Sequence, residues 1–342
     1  MTDYPSLTIT ALGNKGSGKT TFLLGMYADL SAGRKGYFLN ATNPDADLAL
    51  ASKWDKLLDD GVLPPPNLAD NIPYEFLFLD GTRPLLGVDW LDYRGGALED
   101  EVGAASGDVP ELHKRLNKSD TIYLVVDGGY LVRPVENHTR AGIMRMGGLR
   151  RMTSLLQTAI RAREASGDLA PSIVVLITKA DLIPPARRDP LDEMVDDIQQ
   201  LLSVCFADGL STLICPVMLG HFGLNPEGKV RTSDIAPHDL HLPIIFSLAE
   251  YMHQLSLAAS SAAAISAQRL RDLDTHLSGL RTGAGAFFRR SSIAEKSKER
   301  AAAEEEYKSL DVVQQVAAKR AGALFGELEG LPLFRDGREV SR

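Results

Sequence analysis

Gly13-Asn14-Lys15-Gly16-Ser17-Gly18-Lys19-Thr20 decides how this chain is read. An apolar run, Leu7 to Leu12, precedes it and a helix-forming stretch, Thr21 to Leu30, follows. The spacing G-x-x-x-x-G-K-T therefore falls where a strand turns into a helix. Glycines at such a turn let backbone N–H groups converge on phosphate oxygens without Cβ clashes, and the helix N-terminus adds the positive end of its dipole. Gly13, Lys15, Gly16, Ser17, Gly18, Lys19, Thr20 and Thr21 are the candidate phosphate-binding positions. Lys19 is placed to reach the β- and γ-phosphates, and the Thr20 hydroxyl to ligate Mg²⁺. Lys15 can lean toward phosphate or toward solvent. A glycine-rich turn with a chance Lys-Thr pair would require neither the strand before nor the helix after, so the motif implies binding of a nucleoside triphosphate.

The rest of the composition is that of a folded protein: 342 residues, 44% hydrophobic and 24% charged, enough for one large domain or two modest ones. A formal charge of −8 excludes a general nucleic-acid binder, because neutralising phosphates needs a local surplus of Lys and Arg. Residues 251–342 hold 14 Lys+Arg against 12 Asp+Glu, so the acidic excess belongs to the front of the chain. Cys205 and Cys215, without a second pair, read as reduced thiols and suit a cytoplasmic protein. The N-terminal MTDYPSLTIT lacks the pattern of a signal peptide, and no apolar run approaches the ~18 residues of a membrane span.

Downstream of the phosphate loop, Tyr37-Phe38-Leu39-Asn40 reads as a short edge strand. Asn43-Pro44-Asp45 caps a helix expected to end near Asp59. Gly61-Val62-Leu63-Pro64-Pro65-Pro66-Asn67 then forbids helix and is either a connector or a switch loop over the γ-phosphate. Tyr74–Leu79 and Leu85–Leu91 are strands joined by the hairpin signal Asp80-Gly81-Thr82-Arg83. The second run ends in Asp92-Tyr93-Arg94-Gly95-Gly96. An acid at a strand's C-terminal end after a phosphate loop is where Mg²⁺ contact is expected, and Gly95 can offer its amide to a γ-phosphate. Thr121–Val126 and Ile173–Ile177 are buried strands, with an Arg- and Gly-rich loop from Tyr130 to Gly148 between them, followed by a helix over Leu149–Ala165.

Ile177 leads into Thr178-Lys179-Ala180-Asp181, the second decisive signal. In a nucleotide site such a Lys lays its stem along a purine while the carboxylate accepts hydrogen bonds from guanine N1 and N2. Adenine presents an acceptor and no amine at those positions, so an ionised Asp181 repels it. Thr212–Met218 reads as the last strand of the sheet, ending at Val217 and Met218 beside the base. His221, His238 and His241 lack matched metal-ligand spacing and read as surface histidines. Pro243–Leu255 closes the first domain. Ser256–Leu280 and Ile293–Leu328 then form an antiparallel helical hairpin, with Phe287-Phe288-Arg289-Arg290 at its tip, packed on its own domain or a partner in preference to a membrane surface. The expected division is residues 1–255, a hairpin at 256–330 and a loose tail at 331–342.

Taken in order, the loop at Gly13–Thr20, Asp92-x-x-Gly95 after a hairpin and Thr178-Lys179-x-Asp181 resemble the translation-factor-related GTPases, which include Ras-like proteins. The likeness covers roughly residues 6–255. The helix before Leu63-Pro64-Pro65-Pro66 and the Trp90–Gly96 segment are similar to a bacterial subgroup, the GTPases of double-GTPase systems in conflict or signalling gene clusters. The resemblance implies a doubly wound, mostly parallel α/β sheet with one antiparallel edge pair, GTP and Mg²⁺ at the strand C-termini, and two switch loops. Carried over by position, Gly16–Lys19 bind the α- and β-phosphates, Thr20 and Asp92 serve Mg²⁺, Gly95 the γ-phosphate, and Lys179 and Asp181 the base. Two departures stand out. Gly96 occupies the place of the water-orienting Gln, which implies slow hydrolysis unless Arg94, another loop or a protein partner supplies the missing group. A switch threonine for Mg²⁺ is also hard to place, with Thr42 the distant candidate. The implied activity is slow, partner-assisted conversion of GTP to GDP and phosphate, or else a nucleotide-gated module that docks partners through its C-terminal helices. The partner would be an effector, an activating protein or a second GTPase.

Overall fold

A computed structural model describes residues 5–64, 72–92, 108–222, 229–281 and 290–341. In chain order the strands and helices begin with β1 (Ser6–Gly13), α1 (Lys19–Ser31), β2 (Tyr37–Ala41), α2 (Pro44–Asp60), β3 (Ile72–Asp80), β4 (Arg83–Asp92) and α3 (Asp108–Leu116). Next come β5 (Thr121–Asp127), α4 (Asn137–Met146), α5 (Leu149–Ser166), β6 (Ser172–Thr178), the single turn α6 (Pro185–Arg188), α7 (Asp192–Leu201) and β7 (Ser211–Pro216). The last are β8 (Met218–Gly220), β9 (Ile235–His238), α8 (Leu242–Arg281), α9 (Arg290–Gly326), β10 (Leu333–Arg335) and β11 (Arg338–Ser341).

Among the described residues nine strands form one sheet in the order β11-β10-β7-β6-β5-β1-β4-β3-β2, and β8 with β9 makes a separate ribbon. The five central strands are parallel, as their unbroken apolar sequences require: Ile122–Val126 and Ile173–Ile177 are buried on both faces. Their register aligns the C-terminal ends, because Ala11 pairs with Asp92, Gly13 with Val125, Asp127 with Thr178 and Ile177 with Pro216. The phosphate loop thus leaves β1 where the strand order reverses, the place where open α/β sheets bind ligands.

Helices cover both faces. Leu12, Leu124, Val126, Val175 and Ile177 pack with Leu116 of α3, Met152 and Leu156 of α5 and Ile198 of α7. Beneath α1, Phe22, Trp90 and Tyr123 form a ring cluster, Trp90 meeting Tyr123 edge-on at 4.9 Å. The Tyr123 hydroxyl is held by the Ser247 hydroxyl at 2.9 Å, which seats the start of α8 on the same face. Each such buried aromatic contributes about 1.5–3 kcal/mol, so the strand ends that carry the loop and Asp92 stand on a rigid base.

Four expectations need correcting. Antiparallel strands lie at both edges of the sheet, since β10 pairs antiparallel with β7. The 331–342 tail, expected to be loose, supplies that pair: Leu333 and Phe334 are buried and β11 folds back on β10. Within the Arg- and Gly-rich stretch from Tyr130 to Gly148 lies α4, whose start is fixed where the Glu136 N–H donates to Thr139 Oγ1 at 3.1 Å. A helix boundary near residue 255 does not exist, because no Gly or Pro interrupts residues 244–278 and α8 runs through.

The chain forms two compact units, Met1–Ser247 with Leu328–Arg342, and Leu248–Glu327. In the second unit α8 and α9 are antiparallel, His253 meeting Phe325 at 6.3 Å and Arg300 bonded to Asp274. Leu273, Leu277, Ala303, Ala317 and Ala321 are its buried seam, and Val313 is 41% exposed. The tip Phe287-Phe288-Arg289-Arg290 lies outside the residues whose side chains are described. Among the described residues no helix is long and apolar enough to cross a membrane.

Candidate nucleotide site

The loop between β1 and α1 is shaped by glycine. A Cβ on Gly13 would lie 2.7 Å from Ser17 Oγ and 2.9 Å from Val125 Cβ, and Gly18, the helix cap, sits at φ 86°. Among the described residues no side chain caps α1 and its first turn carries no acid, so its leading N–H groups are left for an anion. Lys19 is buried. Its Nζ donates to the carbonyls of Gly13 (2.6 Å) and Asn14 (3.2 Å), so the ammonium lies against the loop's own backbone. Burial lowers the Lys19 pKa to about 8 against the opposing pull of Asp92. Lys15 is exposed.

Asp92, at the end of β4, is 1% exposed. Thr20 Oγ1 donates to its Oδ2 at 2.7 Å. Burial pushes the carboxyl up, with Thr20, Lys19 and Lys53 opposing. Asp92 Oδ1 and Ser17 Oγ are buried with no hydrogen-bond partner among the described residues. A hydroxyl beside a carboxylate with one orphaned oxygen is a hard-oxygen donor set, and it fits a hydrated Mg²⁺ that takes its other ligands from water and phosphate. Gly95, Gly96 and Pro65–Asn67 lie outside the described residues. Thr42 Oγ1 donates to the Glu75 carbonyl at 3.1 Å, which ties the candidate switch threonine to the β3 edge.

From β6 comes the other half. Thr178 Oγ1 donates to the Ser17 carbonyl at 2.6 Å and reaches Val126 O at 3.2 Å, fastening this strand end to the phosphate loop. Lys179 adopts φ 52°, and its Nζ donates to the Gly16 carbonyl at 2.8 Å while pairing with Asp127. Asp181 Oδ2 accepts the Phe222 N–H at 3.1 Å. A cavity of about 460 Å³ is lined by Gly18 and Thr21 from the phosphate side and by Thr178, Lys179, Asp181, Val217 and Met218 from the far side. That volume suits a nucleoside. The structure thus brings the loop, the Thr20–Asp92 pair and the Thr178–Asp181 segment together.

Sequence reading passed over several of the groups in the site. Asp127 orients Lys179 and accepts the Gly129 N–H at 2.8 Å; a Cβ on Gly128 would meet the carbonyls of Thr178 and Lys179 at 2.7 Å. Its signal, Asp-Gly-Gly after an apolar strand, is present in the chain. Leu63, Val230 and Leu240 also line the cavity, and no local pattern marks them. The histidine reading needs one correction: His241 is 3% exposed, with neither ring nitrogen hydrogen-bonded among the described residues. Among those residues no cluster of three His, Cys, Asp or Glu suits a metal.

No protein-family model and no curated protein matches the sequence. Among solved structures, the chain is similar to sup35 complexed with GDP, at 15% identity over 69% of this chain and 42% of that one, with a TM-score of 0.31. It is also similar to a GTP-binding protein from the hyperthermophilic archaeon Sulfolobus solfataricus in complex with GDP, at 16% identity over 63% and 46%, with a TM-score of 0.25. The chain spans less than half of either.

Proposed function

We propose that this chain is a guanine-nucleotide switch that binds Mg-GTP and hydrolyses it slowly to GDP and phosphate, with a protein partner completing the catalytic group. One observation carries the reading: Asp181 and Gly18 line a single cavity, with the Lys179 ammonium on the Gly16 carbonyl. A carboxylate that reads a base and a helix N-terminus that takes a phosphate are then within the span of one nucleotide. Lys19 exchanges the Gly13 and Asn14 carbonyls for phosphate oxygens. Thr20 and Asp92 would hold Mg²⁺, which would supply neutralisation of the phosphate charge. Lys179 covers the purine, and Asp181 accepts from guanine N1 and N2 while rejecting adenine. Val217 and Met218 close the base side.

Gly96 has no side chain with which to orient water, which argues for slow turnover. The same residue favours a second reading, a module that binds GTP or GDP with negligible turnover and docks partners through its C-terminal helices. Single-turnover phosphate release separates the two. A slow release from GTP, absent with ATP and lowered at least tenfold in Lys19→Ala, is expected. A basal rate that the substitution leaves unchanged removes the enzyme reading.

A further inference from the structure

The segment after α2 is tied to the base side of the cavity. Gly61, at φ 65°, ends α2; its carbonyl accepts the Val230 N–H at 2.8 Å, and Val62 forms an antiparallel bridge with Lys229. The fit leaves no space, since a Cβ on Gly61 would lie 2.0 Å from the Val230 carbonyl oxygen. Leu63 and Val230, one from each side of this bridge, are both walls of the nucleotide cavity. From Val230 the chain runs into β9, which pairs with β8, and β8 begins with Met218, another wall. The bridge and the ribbon thus link the base-side wall to the C-terminal end of α2, at the start of the segment that the sequence reads as either a connector or a switch loop over the γ-phosphate.

On the premise that the cavity takes a purine nucleotide, we propose that Gly61–Leu63 and Lys229–Val230 form a nucleoside-sensing clamp. The base and ribose press on Leu63 and Val230, and the bridge passes their presence to α2. The 61–63 segment therefore responds to a bound nucleoside whether its tail is a diphosphate or a triphosphate. A γ-phosphate sensor would separate the two. Gly61 is the positioning residue, because only a residue without Cβ lets the two backbones meet at positive φ.

Hydrogen exchange on the full chain, with Mg²⁺ and either GDP, a non-hydrolysable GTP analogue or inorganic tripolyphosphate, tests this. Amides of residues 13–20 should slow with every ligand that binds. Amides of 57–63 and 229–232 should slow at least about fivefold, equally with the two nucleotides, and remain unchanged with tripolyphosphate. Slowing at 57–63 by the triphosphate analogue alone, or by tripolyphosphate as much as by GDP, overturns the clamp while leaving the nucleotide reading intact. Unchanged exchange at 13–20 with both nucleotides defeats the nucleotide reading and the clamp with it. Gly61→Ala should weaken GDP about tenfold and abolish the slowing at 229–232, without changing tripolyphosphate binding. Should that variant not fold, Leu63→Ala removes the wall alone. It should weaken GDP at least about threefold, and an unchanged GDP affinity overturns the proposal.

Discussion

At the phosphate-loop end of the candidate site Lys19 and Asp92 are buried, 8% and 1% exposed, and desolvation drives both toward their neutral forms. At the other end Lys179 is 41% exposed and ion-paired with Asp127, and Asp181 is braced by a backbone amide between apolar walls. The two ends carry similar charges in opposite settings. Where burial disfavours charge, the phosphate and cation of the proposed function would relieve it, which would concentrate binding energy there. Where charge is already satisfied, the proposed function assigns the gain to discrimination between bases.

Asp181→Asn gives the largest expected effect and strikes the discriminating end. Two charge-assisted bonds to guanine N1 and N2 become at most one, so GDP affinity should fall roughly 100-fold, with preference moving toward xanthosine diphosphate. Competition titration of the two diphosphates measures it, and an unchanged GDP affinity shows that Asp181 does not read the base. Asp92→Asn strikes the other end and should act in the opposite sense on folding. The upward displacement of the Asp92 carboxyl already includes the attraction of Lys19, so a neutral group is better tolerated there than the carboxylate. The ligand-free protein should gain about 1 kcal/mol in urea unfolding, the scale of one relieved buried group. Mg²⁺ should then no longer strengthen triphosphate binding. A variant less stable than the parent would mean that the phosphate end is not electrostatically strained.

Local chemistry is what the sequence makes legible. The phosphate loop and Thr178-Lys179-Ala180-Asp181 each place their functional atoms within a few residues, and the apolar runs before them can only be buried parallel strands. Leu63 and Val230 share no such pattern, because their meeting depends on a backbone bridge between Val62 and Lys229. The C-terminal strands were hidden for a different reason. Leu333–Arg335 is too short to show alternation, although Asp336-Gly337, at φ 50° and 71°, is a hairpin signal in plain view. His241 could not be read as buried, since it packs beside Asp29 of α1, a residue far from it in sequence.

That histidine gives the smallest expected effect, and it separates the two ends by pH. His241 follows Leu240, a wall of the base end, and its Nδ1 lies 3.8 Å from Asp29 Oδ2. Burial, helped by Arg34 and Lys35 and opposed by Asp29 and Asp239, lowers its pKa below the ordinary 6.5. A group depressed on folding contributes stability that is complete above its unfolded pKa and is lost as pH falls through its folded one. Stability should therefore decline below pH 6.5, with a slope of at most about 1.4 kcal/mol per pH unit for one proton. Asp92 works the other way: raised on folding, it favours the folded state as pH falls toward its ordinary 3.8. Urea unfolding between pH 7 and 5 should thus show a decline in the parent that His241→Gln flattens and Asp92→Asn leaves in place or steepens. A decline unaffected by His241→Gln would assign the proton to another group and leave the base end without a titrating residue of its own.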